Sequence, residues 1–421
     1  MRPASVGVCV VPLGSDEVAL EWRADKSLIP ASTMKAVTTA TALQILGPEF
    51  VFETNLYLKG GSLVVKGGGD PTLGATGPAG AFGTWVTGMK AAGILQVNDI
   101  LIDPSRFEEQ RAPNDWPSGD VGNYYGAGPS GMNYHMNSFG LTFKTGSVGG
   151  SARLSSVEPK PPGVEFINYM RTGSSGSGDQ GYVYGGSGAK VMTLRGSVPA
   201  RGSFTIKGAL PNPPLMCGVA LKEFLTERGI EVQGEVKVGP VAVGDLKPFF
   251  VAKSPSLLKI IKGTNHRSVN LYADSIFKVL SPSGTTKASV AKVEAHWKKQ
   301  GVDLTGFVMH DGSGLSPRGL VTARQLAMIL KKSRKHDSGQ AFYESLPLAG
   351  RSGTLASFGN GSVIEGRVRA KSGGMTGVRS YAGYFTGKSG RAYAFAVIVN
   401  NATASPTRRL AQFLAALVQE N

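Results

Sequence analysis

A change of texture that occurs twice constrains this chain more than any other feature. Residues 1–56 and 250–421 alternate strand-like and helix-like stretches, whereas 57–249 are rich in Gly, Ser and Pro with short strand-like runs. That order predicts one discontinuous α/β domain made from both termini, interrupted by a β-rich insert of one or two subdomains. The length of 421 residues agrees with two or three domains. Val6 to Val11 and Val18 to Trp22 read as strands joined by the turn LGSDE. Pro30-Ala31-Ser32 then opens a helix, TMKAVTTATALQIL, which Gly47-Pro48 ends. Within the insert, Leu63–Val65, Asp99–Ile102 and Gly140–Phe143 read as strands, Thr84–Ala92 and Leu215–Arg228 as helices, and 172–188 as an exposed loop. Beyond residue 250, SPSLLKIIKGTN, VNLYADSIFKVL, ASVAKVEAHWKKQG and TARQLAMILKKSRK carry helical apolar spacing. VRAKSGG, RSYAGYFTG and RAYAFAVIVNN read as strands, and SPTRRLAQFLAALVQE as a closing amphipathic helix.

Composition narrows the function classes. No apolar run approaches the ~18 residues that a membrane helix needs. No secretory signal is visible in MRPASVGVCVV, which reads as a first strand; the expectation is of a signal removed ahead of this numbering. Cys9 and Cys217 both lie in apolar runs and read as small buried hydrophobes, and the five His show no metal-ligand spacing, so neither metal nor cofactor is expected. The net charge of +16 is spread along the chain; its densest cluster, KKSRKH at 331–336, reads as a solvated helix end and not a nucleic-acid site.

The chemistry is carried by Ser32 and Lys35. Positions i and i+3 share a helix face, so hydroxyl and amine can meet, and a helix N-terminus favours negative charge on an attacking oxygen. Burial and a second cation can lower a lysine pKa enough for it to act as a base. The same spacing recurs at Ser187–Lys190, Ser256–Lys259, Ser275–Lys278 and Ser289–Lys292, but only Ser32 follows a turn-forming Pro-Ala at a helix start.

Penicillin-binding proteins and class A β-lactamases combine Ser-x-x-Lys with Ser-x-Asn and Lys-Thr-Gly. Ser268-Val269-Asn270 supplies the second element: a hydroxyl to relay protons and an amide to grip a peptide backbone. For the third, a strand lysine to meet a carboxylate and a backbone N–H for an oxyanion hole, there are three candidates. Lys144-Thr145-Gly146 falls in the insert, before the second element; Lys388-Ser389-Gly390 reads as a hairpin turn; Lys371-Ser372-Gly373 ends a strand-like run after the second element and is the choice.

These residues resemble the S13 serine peptidases, the class C low-molecular-mass penicillin-binding proteins that include D-alanyl-D-alanine carboxypeptidases and endopeptidases. PASTMK (30–35), KGGGDPTL (66–73), HRSVNLYADSIFK (266–278), DGSGLS (311–316), SLPLAGRSGTL (345–355) and RVRAKSGG (367–374) follow in the family's order. The resemblance implies a penicillin-binding-protein/β-lactamase-like transpeptidase core, an antiparallel sheet with flanking helices, in which Ser268 follows Ser32 by 236 positions across the insert. It implies that Ser32 is acylated, that Lys35 takes its proton, that Ser268 relays a proton to the leaving D-alanine and that Asn270 binds the substrate backbone. Lys371 and Ser372, with Gly373 in the same motif, would hold the terminal carboxylate, and the N–H groups of Ser32 and Gly374 would form the oxyanion hole. Asp120 and Tyr125, in WPSGDVGNYY, are similar to insert residues that recognise the free end of a diaminopimelate side chain, and Met375 would line that pocket. Implied partners are peptidoglycan peptides and covalently bound β-lactams, in a periplasmic or otherwise extracytoplasmic setting, with no cofactor. The alternative is a catalytically weak peptidoglycan-binding protein on the same fold. Two departures stand out: the family's Lys-Thr-Gly-Thr/Ser is here Lys-Ser-Gly-Gly, so Gly374 lacks a side-chain hydroxyl, and Pro317 separates DGSGLS from Arg318. Nothing resembles a dedicated deacylating Glu, so an acyl-enzyme with β-lactams is expected to hydrolyse slowly.

Overall fold

The computed structural model describes residues 4–15 and 17–421. Met1 to Pro3 and Asp16, the latter in the expected first turn, lie outside the described residues. The chain forms two compact units, Met1–Phe50 with Ser256–Asn421, and Val51–Pro255.

The first unit is built on a five-stranded antiparallel sheet in the order Val368–Met375, Val378–Thr386, Ala392–Asn400, Ser5–Pro12, Leu20–Trp22. The N-terminal strand pairs along its whole length with the last one, from Ser5 opposite Asn400 to Pro12 opposite Tyr393. On one face Val8, Val10, Tyr381, Phe395 and Val397 pack with Leu410, Leu414 and Val418 of the closing helix Thr407–Glu420. Its apolar residues recur at helical spacing, so one side is buried and the other solvated. The helix Ala323–Lys335 joins the sheet elsewhere: Tyr384 donates a 2.8 Å hydrogen bond to the Leu330 carbonyl. The KKSRKH cluster therefore departs from a plain solvated end. Lys335 and His336 are exposed, but Lys331 and Ser333 are buried, and the Lys331 amine donates to the Ser15 carbonyl.

Among these helices Met34–Leu46 is buried from Met34 through Leu43. Its threonines satisfy their hydroxyls locally: Thr39 and Thr41 each donate at 2.7 Å to the carbonyl four residues back. A helix buried on all sides is a rigid mount for whatever precedes it.

In the second unit, a mixed five-stranded sheet runs Val236–Val238, Ile100–Asp103, Ser62–Lys66, Glu53–Lys59, Phe250–Lys253. The helices Pro78–Ala91 and Pro213–Glu227 share one apolar core with it and with three smaller sheets. Residues 51–56 and 250–255, expected with the termini, instead belong to this unit, where Glu53 to Leu56 pair with Lys253 to Phe250, Leu56 opposite Phe250. The expected loop at 172–188 contains a strand, Gln180–Tyr184, in which Val183 is buried while Tyr182 and Tyr184 face solvent. Its alternation is real but only five residues long, and the Gly and Ser around it obscure it. Cys9 and Cys217 are both buried free thiols.

Candidate active site

The site is assembled from the first unit. Pro30 leads into Ala31, whose φ of +49° is a left-handed value unusual for a residue with a side chain. The chain then makes a single 3-10 turn, Ala31–Thr33, that continues directly into the buried helix. The turn is pinned twice. Thr33 Oγ1 donates to the Pro30 carbonyl at 2.8 Å, and Ser380 Oγ donates to the same oxygen at 2.5 Å. Ser380 lies opposite Gly373 in the edge hairpin. A Cβ at 373 would stand 2.3 Å from Ser380 Oγ and 2.6 Å from the Pro30 carbonyl. Only glycine lets the edge strand Val368–Met375 close onto the turn that carries Ser32.

Helix periodicity then brings Lys35 to Ser32, with Nζ 2.9 Å from Oγ. Lys35 is fully buried, and Nζ also donates to Asn270 Oδ1 at 2.6 Å and to the Ser313 carbonyl at 2.7 Å. Two of these three partners can only accept. A neutral amine has two N–H bonds and one lone pair, so once Asn270 and Ser313 take the hydrogens the lone pair faces the Ser32 hydroxyl. Burial pushes the Lys35 amine down from the ordinary 10.5 to about 8, against the opposing charges of Asp274 and Asp311. Asp274 is buried too, and burial, reinforced by Asp311, raises its carboxyl to about 8.

The loop that offers the Ser313 carbonyl is held by these acids. Asp274 Oδ1 accepts from the Gly312 N–H at 2.8 Å, and Asp311 accepts from the N–H groups of Gly314 and Ser316 at 2.5 and 2.7 Å. Gly314 has φ +73°, and a Cβ there would come within 2.0 Å of the Ala31 carbonyl.

Ser268 caps the helix Leu257–Arg267 in a left-handed conformation, φ +56°, just before the helix Asn270–Val279 begins. This sharp junction presents the Ser268 hydroxyl and the Asn270 amide together. Lys371 Nζ donates to Ser268 Oγ at 3.0 Å and to the Ser372 carbonyl at 2.7 Å. Lys371 is fully buried, and burial, with Lys35 adding repulsion, pushes its amine well below the usual lysine range. Ser372 Oγ donates to Thr354 Oγ1 at 2.8 Å. The Ala370 N–H donates to the Pro347 carbonyl, away from the hairpin partner. N–H directions alternate along a strand, so the Gly374 N–H points to that same outer edge. Met375 ends the strand opposite Val378.

Ser32, Lys35, Ser268, Asn270 and Lys371 are thus linked by hydrogen bonds, and Ser372, Gly373 and Gly374 continue along the edge strand. Asp120 and Tyr125 belong to the second unit, where the Tyr125 hydroxyl donates to Asp120 Oδ1 at 3.1 Å; burial, then the Asp120 charge, raises the Tyr125 phenol. Arg318 is exposed, and its N–H donates to Ser316 Oγ. The competing Lys388 lies in the turn after Val378–Thr386, and Lys144 ends a strand of the second unit. Sequence reasoning missed Asp274, Asp311 and Thr354. Asp274 follows Asn270 by one helical turn, on the same helix face, which is the signal that was available.

The sequence matches the D-Ala-D-Ala carboxypeptidase 3 (S13) family over residues 1–419. The chain belongs to that family. This S13 enzyme is 30% identical to a D-alanyl-D-alanine carboxypeptidase of Actinomadura sp. (strain R39), across 96% of this chain and 79% of the relative. Its activity is accordingly that of a serine D-Ala-D-Ala carboxypeptidase. In fold the peptidase is similar to penicillin binding protein 4 (dacB) from Haemophilus influenzae, with TM-score 0.86 and 24% identity over 99% of this chain and 96% of the other. A predatory peptidoglycan endopeptidase from Bdellovibrio bacteriovorus gives TM-score 0.58 at 17% identity, over 100% of this chain and 94% of the other. Among the described residues of the S13 enzyme, no helix is long and apolar enough to cross a membrane, and no cluster of three His, Cys, Asp or Glu could hold a metal.

Proposed function

We propose that this DD-peptidase works through an acyl-Ser32 intermediate with Lys35 as the base. The observation that carries this reading is the threefold environment of the Lys35 amine, with two pure acceptors and the Ser32 hydroxyl as its third partner. Ser32 Oγ attacks the carbonyl carbon of the penultimate D-alanine of a peptidoglycan stem peptide while its proton passes to Lys35 Nζ. The N–H groups of Ser32 and Gly374 stabilise the resulting oxyanion. Collapse breaks the peptide bond, and the leaving amine takes a proton through Ser268. Water then hydrolyses the ester and regenerates Ser32. Asn270 grips the substrate backbone, and Lys371 and Ser372 hold the terminal carboxylate, whose negative charge offsets the burial that disfavours a charge on Lys371.

The same chemistry cleaves D-Ala-diaminopimelate cross-links when the leaving amine belongs to diaminopimelate. Asp120 and Tyr125 of the second unit are the residues we assign to the free end of that side chain, and Met375 of the first unit is assigned to substrate binding at the end of the edge strand. A β-lactam acylates Ser32 in the same way and leaves slowly. The first unit is the catalytic core and the second an insert, and the site of action is extracytoplasmic.

Fluorescent penicillin tests the assignment: it labels the wild type covalently, and Ser32→Ala abolishes the label. Labelling that survives in that variant refutes the role of Ser32. Chromatography and mass analysis of digested peptidoglycan separates the two activities, since free D-alanine reports the carboxypeptidase and monomers from cross-linked dimers report the endopeptidase. Neither product forming would favour a weak binder on the same fold.

A further inference from the structure

Gly374 stands where the family pattern has a Thr or Ser, and the neighbouring strand supplies something in its place. Arg379 lies directly opposite Gly374 in the antiparallel hairpin. A Cβ at 374 would be 2.7 Å from Arg379 Nη1 and 3.1 Å from Cζ. The guanidinium therefore occupies the space that a threonine or serine side chain would fill. Ser372 and Gly374 point to the same face of the strand, because side chains alternate. Arg379 therefore shares that face with the hydroxyl assigned to carboxylate binding. Gly374 itself is exposed, so the fork lies beside an open approach and not beneath one.

We propose that Arg379 is a second anchor for the C-terminal carboxylate of the substrate, standing in for the hydroxyl that Gly374 lacks.

Three observations favour this role over a structural one. Arg379 has no salt-bridge partner among the described residues, and its Nε is buried without a hydrogen-bond partner. A guanidinium whose Nε–H is buried and unpaired fits an anionic ligand. Lys371, the other cation of the strand, already spends its amine on Ser268 and the Ser372 carbonyl. Burial and Lys35 both work against its charge. Arg379 adds a planar fork of N–H donors that can pair a carboxylate at both oxygens.

The inference rests on the acyl-Ser32 reading, and its test keeps the two apart. The substrates are a peptide ending in D-Ala-D-Ala and the same peptide with its C-terminus amidated. Arg379→Ala should lower kcat/KM for the free acid by about 10- to 100-fold, the range for loss of a charge-assisted hydrogen bond, and leave the amide unchanged. Gly374→Thr in the wild type should displace the fork and cause a smaller loss. In the Arg379→Ala background it should restore activity, because the hydroxyl returns. Equal losses on acid and amide, no loss on either, or no restoration by Gly374→Thr would overturn the proposal. Thermal unfolding of each variant separates a fold defect, which lowers both substrates together, from a binding defect. Ser32→Ala run alongside must abolish turnover of both substrates; if it does not, the parent reading fails whatever Arg379 does.

Discussion

Replacing Asp274 by asparagine should move the acid limb of the acylation rate to lower pH. Lys35 must be unprotonated to accept the Ser32 proton, so the rate rises as pH climbs through the amine's pKa. With that value pushed down to about 8, roughly one amine in ten is free at pH 7, against roughly one in three thousand for an ordinary lysine. That gain of about 300-fold is worth about 3 kcal/mol of barrier. Burial causes it, and the negative charge of Asp274 resists it. An opposite charge close to an ionisable group commonly moves it by about one to three pH units. Asparagine keeps an oxygen for the Gly312 N–H, which Asp274 accepts at 2.8 Å, but it carries no charge. Because burial raises the Asp274 carboxyl itself to about 8, its charge opposes the amine only near and above that pH. The limb should therefore fall by at most about one unit, from near 8 towards about 7, and the two enzymes should converge below about pH 7, where Asp274 is protonated in the wild type. The assay is the second-order rate constant for acylation by a chromogenic β-lactam, measured by stopped flow from pH 5 to 9.5 at constant ionic strength. A limb that stays in place, or moves to higher pH, would refute the electrostatic account of Lys35.

Asn270→Ala removes the 2.6 Å acceptor of the Lys35 amine and with it the device that turns the lone pair toward Ser32; acylation should slow by about 10²- to 10³-fold, read as covalent labelling over time, with the thermal midpoint little changed. Gly314→Ala combines φ +73° with a Cβ 2.0 Å from the Ala31 carbonyl and should cost about 2–4 kcal/mol in chemical denaturation while also disturbing the nucleophile turn. Gly361→Ala, at φ +71° with open space around it, should cost only about 1 kcal/mol and leave activity intact.

Much of the first unit is legible in the sequence because its elements are long and strongly patterned. Thr407–Glu420 and Ala323–Lys335 repeat apolar residues at helical spacing, and Ala392–Asn400 is a nearly unbroken apolar run. The Ser32–Lys35 pair is legible for the same reason, since three residues along a helix fix a distance without help from the rest of the chain. The remainder of the site depends on contacts far apart in sequence. The Ser313 carbonyl that holds the Lys35 amine is 278 positions away from it, and a carbonyl has no signature in a residue type. Arg379 acquires its meaning only from a strand register that sets it opposite Gly374. In the second unit short strands such as Glu53–Lys59 and Phe250–Lys253 are defined by each other, so a boundary drawn on texture alone placed both ends with the wrong neighbours.

The pairing of Ser5–Pro12 with Ala392–Asn400 sets an order on synthesis. Ser5–Pro12 leaves the ribosome long before Ala392–Asn400 and lacks its partner on that side until then, and its Val8, Val10 and Val11 are core residues. The unit Val51–Pro255, by contrast, is continuous in sequence and can fold while the rest is still being made. The hydrolytic half is therefore the last to close. A chain interrupted before residue 392 would hold a folded insert and every residue from Ser32 to Lys371, yet would lack the central strand on which the edge hairpin and the N-terminal strand both depend. Truncated chains should accordingly be inert and prone to associate through that open sheet.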